Sequence, residues 1–266
     1  MRQNNPVPMR DLGFQRAPAP LPLRPWVRWF WSLSCNPGSY QARTEYIHPD
    51  GGSGLVFNWE ATTGEYPGYY HAGVNLDPVS LQSRPRIMQG KLNTFGVLLK
   101  PGALYALGGI PVSELAAFEA LPQPLRSALD QLSHQLFAAS DFHQRVAIAE
   151  VWLRHRFTDA HTPFVEQLAR NPDNSGYSKR HVERLCRSQL GLSPRQLQLL
   201  DQVNLARGLI KQSPHTPLTE IALTSGFYDQ AHFIHRFRSV LGISPGEFRT
   251  RFLHKQTELA LREFED

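Results

Sequence analysis

The stretch TPLTEIALTSGFYDQAHFIHRFRSVLGISPGEFRTRF, residues 216–252, decides the fold of the C-terminal part of the chain. Its apolar residues recur every three or four positions, which places them on one face of a helix. Gly226 interrupts the pattern, and Asp229 follows as a candidate N-cap that accepts from free backbone N–H groups. Two short helices joined by a glycine turn are therefore predicted. Their predicted inward residues are Leu218, Ile221, Ala222, Phe233, Phe237, Val240 and Leu241.

The opposite face of the second predicted helix is mostly polar and basic. Hydrogen-bond donors and cations are what a helix needs to contact base edges and phosphates in the major groove of DNA. For this segment alone, a helical hairpin with a solvated face is the alternative. The face carries Gln230, His232, Ile234, His235, Arg236 and Arg238.

A second copy of the motif lies 51 residues earlier in the chain. Six identical residues recur at this offset, which favours a duplication over chance. Ser178 stands where Asp229 stands in the later copy, so each copy has a candidate N-cap and a candidate recognition helix. The matching pairs are His181 and His232, Arg187 and Arg238, Leu190 and Leu241, Gly191 and Gly242, Ser193 and Ser244, and Pro194 and Pro245.

The segment between the copies predicts one long helix. Ser193 and Pro194 are typical of an N-cap and a first helical residue, and the segment continues to Ser213 and Pro214. A helix of that length spans roughly 27 Å. It would hold two recognition helices about one DNA turn apart, on the order of 34 Å, so that one monomer reads two adjacent major-groove segments.

Residues from about Phe164 to Phe252 resemble the double helix-turn-helix DNA-binding domain of AraC/XylS-type transcriptional regulators. The resemblance lies in GYSKRHVERL, LGLSPRQ, SGFYDQAHFIHRFR and LGISPGEFR and covers about a third of the chain. It implies a bacterial transcription factor that binds double-stranded promoter DNA. RNA polymerase is left open as a further partner.

The resemblance also implies roles for individual residues. Arginine can bind guanine through two hydrogen bonds, glutamate accepts from cytosine, and glutamine suits adenine. An arginine that pairs with Glu183 or Glu220 within the fold is the alternative role. The implied base-reading residues are Arg180, Glu183, Arg184, Gln230, Ala231, Ile234 and His235. The implied phosphate contacts are Lys179, Arg187, Arg236 and Arg238.

The first motif departs from the second in its turn. Eight residues, RNPDNSGY, separate Ala169 from Ser178, whereas six separate Ala222 from Asp229. Pro172 is expected to end the first helix early. The first turn is therefore predicted to be longer by two residues.

Residues 23–110 contain short apolar runs punctuated by glycine and proline, which is typical of a sandwich or small barrel. The aromatic run WVRWFWSL begins this part and is interpreted as a buried strand. The order of RPWVRWFWSL, YIHPDGGSGLVFNW and FGVLLKPGALYALGGIPVSEL resembles a domain of unassigned function, cupin-like in fold, found ahead of AraC-type domains. An effector pocket there is a hypothesis from architecture alone.

The predicted fold class is α+β, with a small cupin-like β-barrel, then helices, then an all-α double helix-turn-helix domain. Leucines spaced by three and four predict two or three helices between about 112 and 158. Burial in a dimer interface and packing within one chain both explain this stripe of regularly spaced leucines. The predicted divisions are a disordered or extended segment at 1–22, a sensory domain at 23–110, a helical connector at 111–160, the DNA-binding domain at 161–255 and an acidic tail at 256–266.

Charge supports nucleic-acid binding independently of the motifs. Residues 161–255 hold 13 Lys and Arg against 7 Asp and Glu, a net charge of +6, whereas the last eleven residues carry −3. A basic field attracts phosphate and makes binding fall with salt. A basic face that only aids solubility is the alternative.

Other classes of protein receive less support. No apolar run approaches the ~20 residues of a membrane span, and the proline-rich N-terminus lacks the apolar region of a secretory signal. Cys35 and Cys186 lack metal-ligand spacing, which favours a reducing cytoplasm. His48 and His71 stand alone, so no metal, cofactor or catalytic group is predicted. The rival class is a ligand-binding or enzymatic barrel whose helices serve packing or protein contacts.

Overall fold

The computed structural model of the chain describes residues 9–36, 38, 41–60, 70–115, 117–157, 164–170 and 176–262. The chain divides into two compact units. The first unit consists of Met1–Ile47, Gly51–Ser80 and Arg84–Pro194. The second consists of His48–Asp50, Leu81–Ser83 and Arg195–Asp266.

The strands of the first unit form two antiparallel sheets among the described residues. A five-stranded sheet has the order β1-β2-β7-β4-β5, and β3 pairs with β6 in a two-stranded sheet. The strands are β1 Gln15–Pro18, β2 Val27–Cys35, β3 Arg43–Ile47, β4 Ser53–Asn58, β5 Gly73–Asp77, β6 Arg84–Met88 and β7 Leu92–Leu99. The short β-rich segments predicted from the sequence are therefore present. In this strand order β1 and β5 are the outer strands of the larger sheet, and a closed barrel is not seen among the described strands.

The aromatic run of β2 is partly core, as the sequence predicts. Trp26, just before β2, and Phe30 within it are buried, and Phe30 packs against Phe95 of β7 with ring centroids 6.2 Å apart. Trp31 lies opposite Gly96 in the register of β2 and β7. A Cβ atom at residue 96 would overlap the ring of Trp31, so this pair requires glycine.

A buried ion pair connects the two sheets of the first unit. Asp77 ends β5 and pairs with Arg86 of β6, whose side chain is only 2% exposed. The Tyr70 hydroxyl donates to the same carboxylate at 2.6 Å, and the Arg86 guanidinium lies over the Tyr70 ring. Because a buried charge is costly without a partner, these three side chains act as one structural group.

Residues 9–22 belong to the N-terminal segment that the sequence predicts to be disordered or extended. Two 3-10 turns, Arg10–Leu12 and Leu21–Leu23, flank β1, which pairs with β2 as an outer strand. Leu12 and Leu23 are buried. Proline is tolerated in an outer strand because the unpaired edge of that strand needs no hydrogen-bond donor. A proline-rich composition is therefore compatible with a strand as well as with disorder. The backbone is extended at β1, whereas residues 1–8 lie outside the described part of the chain.

The helices predicted between residues 112 and 158 are confirmed as α2, Gln123–Ala138, and α3, Phe142–Arg156. A short helix α1, Ala103–Gly108, precedes them. The leucine stripe of α2 is buried in the same core as Phe57 and Phe95 of the sheet. Packing within one chain therefore explains this stripe. The stripe consists of Leu125, Leu129, Leu132 and Leu136.

The remaining helices follow in chain order. They are α4 Phe164–Arg170, α5 Lys179–Leu190, α6 Pro194–Gln212, α7 Leu218–Thr224, α8 Gln230–Leu241 and α9 Pro245–Arg262. Helices α4 and α5 belong to the first unit, and α7 to α9 belong to the second with nearly all of α6. The predicted long helix between the two motifs is confirmed by α6. Among the described residues, no helix is both long enough and apolar enough to span a membrane.

Candidate nucleic-acid interface

The first candidate recognition helix is α5. Its N-cap is Ser178, whose hydroxyl accepts from the backbone N–H of His181 at 3.3 Å, and Gly191 ends it in the left-handed conformation. One face of α5 is buried through Val182, Cys186 and Leu190. Within the first unit, α5 packs against α4 and against the 3-10 turn Val112–Glu114. The opposite face of α5 is therefore the one that faces solvent.

That exposed face carries every residue predicted to contact DNA from the first motif. The five residues Lys179, Arg180, Glu183, Arg184 and Arg187 are all exposed. Glu183 pairs with Arg187 at 2.8 Å, so one arginine does pair within the fold. An exposed pair one helical turn apart contributes only about 0.3–0.5 kcal/mol, and phosphate can compete for the arginine. Arg184 donates to His181 Nδ1 at 3.3 Å, a contact that the sequence did not predict.

The second candidate recognition helix is α8. Asp229 is its N-cap and accepts from the backbone N–H of His232 at 2.7 Å, as predicted. Gly242 ends the helix with φ of 77°, a left-handed value close to the 71° of Gly191, and glycine adopts this conformation without steric cost. Of the inward residues predicted in α7, Ile221 and Ala222 are buried, whereas Leu218 is only half-buried. The inward residues predicted in α8 are confirmed as buried. They are Phe233, Phe237, Val240 and Leu241.

We expect Asp229→Ala to lower the free energy of unfolding by about 1 kcal/mol, because the backbone N–H of His232 loses its acceptor. Urea unfolding followed by circular dichroism measures the change. Asp229→Ser, which retains an N-cap oxygen, is the matched control and should keep most of the stability. Equal unfolding midpoints for the alanine and serine variants would exclude a capping role.

The outward side of α8 carries the residues predicted for the second motif. Gln230, Ala231, His235 and Arg238 are exposed, whereas Ile234 and Arg236 are half-buried. Arg236 donates through Nε to His232 Nε2 at 3.3 Å. In both helices the histidine that follows the N-cap by three residues therefore accepts from an arginine about one turn further on.

The turn before α8 is held by contacts that the sequence did not predict. Gln202 of α6 donates to the Gly226 carbonyl at 2.7 Å. Phe227 is buried and packs against Phe233, with ring centroids 5.1 Å apart. The sequence signal that could have predicted this packing is the aromatic residue directly after Gly226, the glycine that follows α7. The corresponding turn of the first motif, residues 171–175 with Pro172, lies outside the described residues.

The described residues bring no histidine or cysteine cluster together. No group of three His, Cys, Asp or Glu side chains in the described ranges could hold a metal ion. Cys35 and Cys186 are not joined by a disulfide bond, and burial raises the pKa of Cys186 to about 11. His48 Nδ1 lies 2.8 Å from Ser83 Oγ, and burial lowers the pKa of His48 to about 3. His71 is exposed and belongs to the other compact unit.

Two capped helices, each with a buried apolar face and a solvent-facing basic face, have the features of the recognition helices in a helix-turn-helix domain. Comparison with family models agrees, since residues 173–251 match the family described as a helix-turn-helix domain. Residues 15–119 match a domain of unknown function (DUF6597).

Curated relatives are similar to this chain only in part. The HTH-type transcriptional regulator MtrA of Neisseria gonorrhoeae is 35% identical over 74 residues, which are 27% of this chain and 24% of MtrA. The HTH-type transcriptional regulator GlxA of Rhizobium meliloti is 35% identical over 77 residues, which are 29% of this chain and 24% of GlxA. The chain thus spans about a quarter of the length of these relatives.

Solved structures of ToxT from Vibrio cholerae are distantly similar. The unsaturated fatty acid bound ToxT has a TM-score of 0.37 and 13% identity, covering 94% of this chain and 97% of ToxT. A 1.65 Å structure of ToxT has a TM-score of 0.35 and 11% identity, covering 79% of this chain and 97% of ToxT.

Proposed function

We propose that the chain is a sequence-specific DNA-binding transcriptional regulator of the AraC/XylS type, in which α5 and α8 read two adjacent major-groove segments. The supporting observation is the duplicated exposed basic face on two helices with equivalent caps, at residues 178–191 and 229–242. The net charge of +6 over residues 161–255 supplies the attraction to phosphate.

The proposal assigns two kinds of contact to the exposed faces. The base-reading set is Arg180, Glu183, Arg184, Gln230, Ala231, Ile234 and His235, and the phosphate set is Lys179, Arg187, Arg236 and Arg238. Arg187 would exchange its exposed partner Glu183 for a phosphate. Ile234 offers part of its side chain to a thymine methyl, since it is half-buried.

The test is DNA binding by the full chain at two salt concentrations. A gel shift with the DNA upstream of its own gene is followed by selection of bound fragments from a random-sequence pool. We expect tight binding to selected fragments and a steep loss of affinity with salt. A ligand-binding or enzymatic barrel with no DNA function would bind all sequences weakly and equally, and this result would overturn the proposal.

We expect Lys179→Ala to weaken binding to selected and random DNA alike and to lower the salt slope by about one, because one phosphate contact is lost. Lys179 is the first residue of α5 and is exposed. Titrations by fluorescence anisotropy at four salt concentrations give the slope. Lys100→Ala, outside both motifs, is the control. An unchanged slope for Lys179→Ala would mean that this lysine faces solvent in the complex.

The N-terminal sheets are proposed to form the sensory part of the chain and to have the cupin-like fold that the resemblance implies. The proposed domain boundaries are 23–110 for the sensory domain, 111–160 for the helical connector and 161–255 for the DNA-binding domain. A small-molecule effector, a homodimer and a contact with RNA polymerase belong to this proposal, as do a cytoplasmic location and the absence of enzymatic activity. Thermal-shift screening tests the effector. If no small molecule changes the unfolding temperature of the full chain, the sensory role loses its support.

A further inference from the structure

A tyrosine precedes the N-cap of each recognition helix. Tyr177 comes before Ser178, and Tyr228 comes before Asp229, so the two tyrosines share the 51-residue offset of the repeat. Tyr177 is 49% exposed and Tyr228 is 88% exposed, the highest value among the exposed large hydrophobic side chains of the described residues. A single exposed aromatic residue is normal on a protein surface. Its recurrence at the same position of both motifs indicates a role outside the fold.

Both tyrosines lie at the N-terminal end of a candidate recognition helix, which is the end expected to approach DNA. In helix-turn-helix proteins, residues near the N-terminus of the recognition helix contact base edges. The side chain just before the helix therefore lies beside the groove, where the sugar-phosphate backbone passes. A tyrosine combines an apolar ring with a hydroxyl that donates a hydrogen bond, and it is one of the residues that contact phosphate in protein–DNA complexes.

The two tyrosines differ in their surroundings within each motif. Tyr177 stacks on His181, with ring centroids 5.1 Å apart and an interplanar angle of 17°. In the second motif Phe227 takes the equivalent role, because its ring contacts His232 edge-on at 5.8 Å. Tyr228 thus projects further into solvent than Tyr177. We expect it to contribute more to DNA binding.

We propose that Tyr177 and Tyr228 are contacts to the DNA backbone, each hydroxyl donating to a phosphate oxygen while the ring packs on the neighbouring sugar. The inference rests on the proposed DNA-binding function. Such a contact positions the helix without reading sequence. A neutral hydroxyl also releases no counterion, so it adds affinity without adding to the salt slope, unlike Lys179.

The experiment compares Tyr228→Ala, Tyr228→Phe and Tyr177→Ala with the unmodified chain on a selected fragment and on a scrambled one. We expect Tyr228→Ala to weaken binding about three- to ten-fold on both fragments with an unchanged salt slope. Tyr228→Phe should lose part of this affinity, because it keeps the ring and removes the hydroxyl. Tyr177→Ala should cause a smaller loss.

Tyr46→Ala is the matched control, since Tyr46 is 52% exposed and lies in β3, outside both motifs. It should leave affinity unchanged, and all variants should keep the unfolding temperature of the parent chain. If the parent binds selected DNA while Tyr228→Ala and Tyr177→Ala bind as tightly, the tyrosine contact alone is wrong. A loss confined to the selected fragment, or a lower salt slope, also overturns it. If the parent binds no DNA preferentially, the proposed function and this inference fail together.

Discussion

Replacing Arg184 by alanine is expected to weaken binding to the selected DNA fragment by about 1–3 kcal/mol and to relax discrimination at one base pair. Arg184 lies on the solvent side of α5, opposite Val182 and Cys186. Its guanidinium donates to His181 Nδ1 at 3.3 Å, which holds the side chain along the helix. The loss is large because arginine can make two parallel hydrogen bonds to the O6 and N7 atoms of guanine.

Arg184→Lys separates base reading from charge. Lysine keeps the positive charge but lacks the planar fork of donors, so this variant should retain affinity for random DNA and lose preference for the selected fragment. Competition binding against both fragments measures the two effects. Arg154→Ala, an exposed arginine of α3, is the control and should change neither. An equal loss on random and selected DNA for Arg184→Ala would contradict a base-reading role.

Phe233→Ala is expected to lower the free energy of unfolding of the second unit by about 3–5 kcal/mol. The Phe233 side chain is fully buried. Its ring lies 5.1 Å from that of Phe227 and 5.4 Å from that of Phe237, between centroids. Truncation removes apolar burial and leaves a cavity between α8 and the turn before it. DNA binding should fall as well, because α8 loses the contacts that hold its N-terminal half.

Urea unfolding monitored by circular dichroism and by DNA binding tests this prediction. A chain with two compact units can unfold in two steps, so the transition that belongs to residues 195–262 is the one to compare. His235→Ala is the control on the same helix for the circular-dichroism measurement alone, because His235 is exposed and should change stability by no more than about 0.5 kcal/mol. A loss below about 1 kcal/mol for Phe233→Ala would mean that the site collapses around the smaller side chain.

The second motif was predicted most completely because its signals are local. Asp229, Phe233 and Phe237 lie within nine residues of one another, and one turn of helix relates each to the next. The N-cap, the buried face and the basic exposed face all follow from that spacing. The contact from Gln202 to the Gly226 carbonyl does not, because it joins residues of two helices.

The candidate site was predicted as a set of exposed positions, but its internal partners were not. Exposure follows from the helical period, so Arg180, Arg184 and Gln230 could be placed outward from the sequence. The contacts Glu183–Arg187 and Arg236–His232 depend on the side-chain rotamers. A spacing of four residues allows these contacts, but it does not determine which rotamers the side chains adopt. The roles of these residues toward DNA remain predictions.

The sequence by itself determined the helices of both motifs, their caps and the polarity of their faces, since hydrogen bonds between residues three and four apart are encoded locally. Only the tertiary structure decided the strand order β1-β2-β7-β4-β5 and the burial of Leu12, Ala19 and Leu23 within the proline-rich segment at 9–23. Pairs such as Leu55 with Val97, or Asp77 with Arg86, form between residues on different strands. An alternating apolar pattern marks which face of a strand is buried, but it does not name the neighbouring strand.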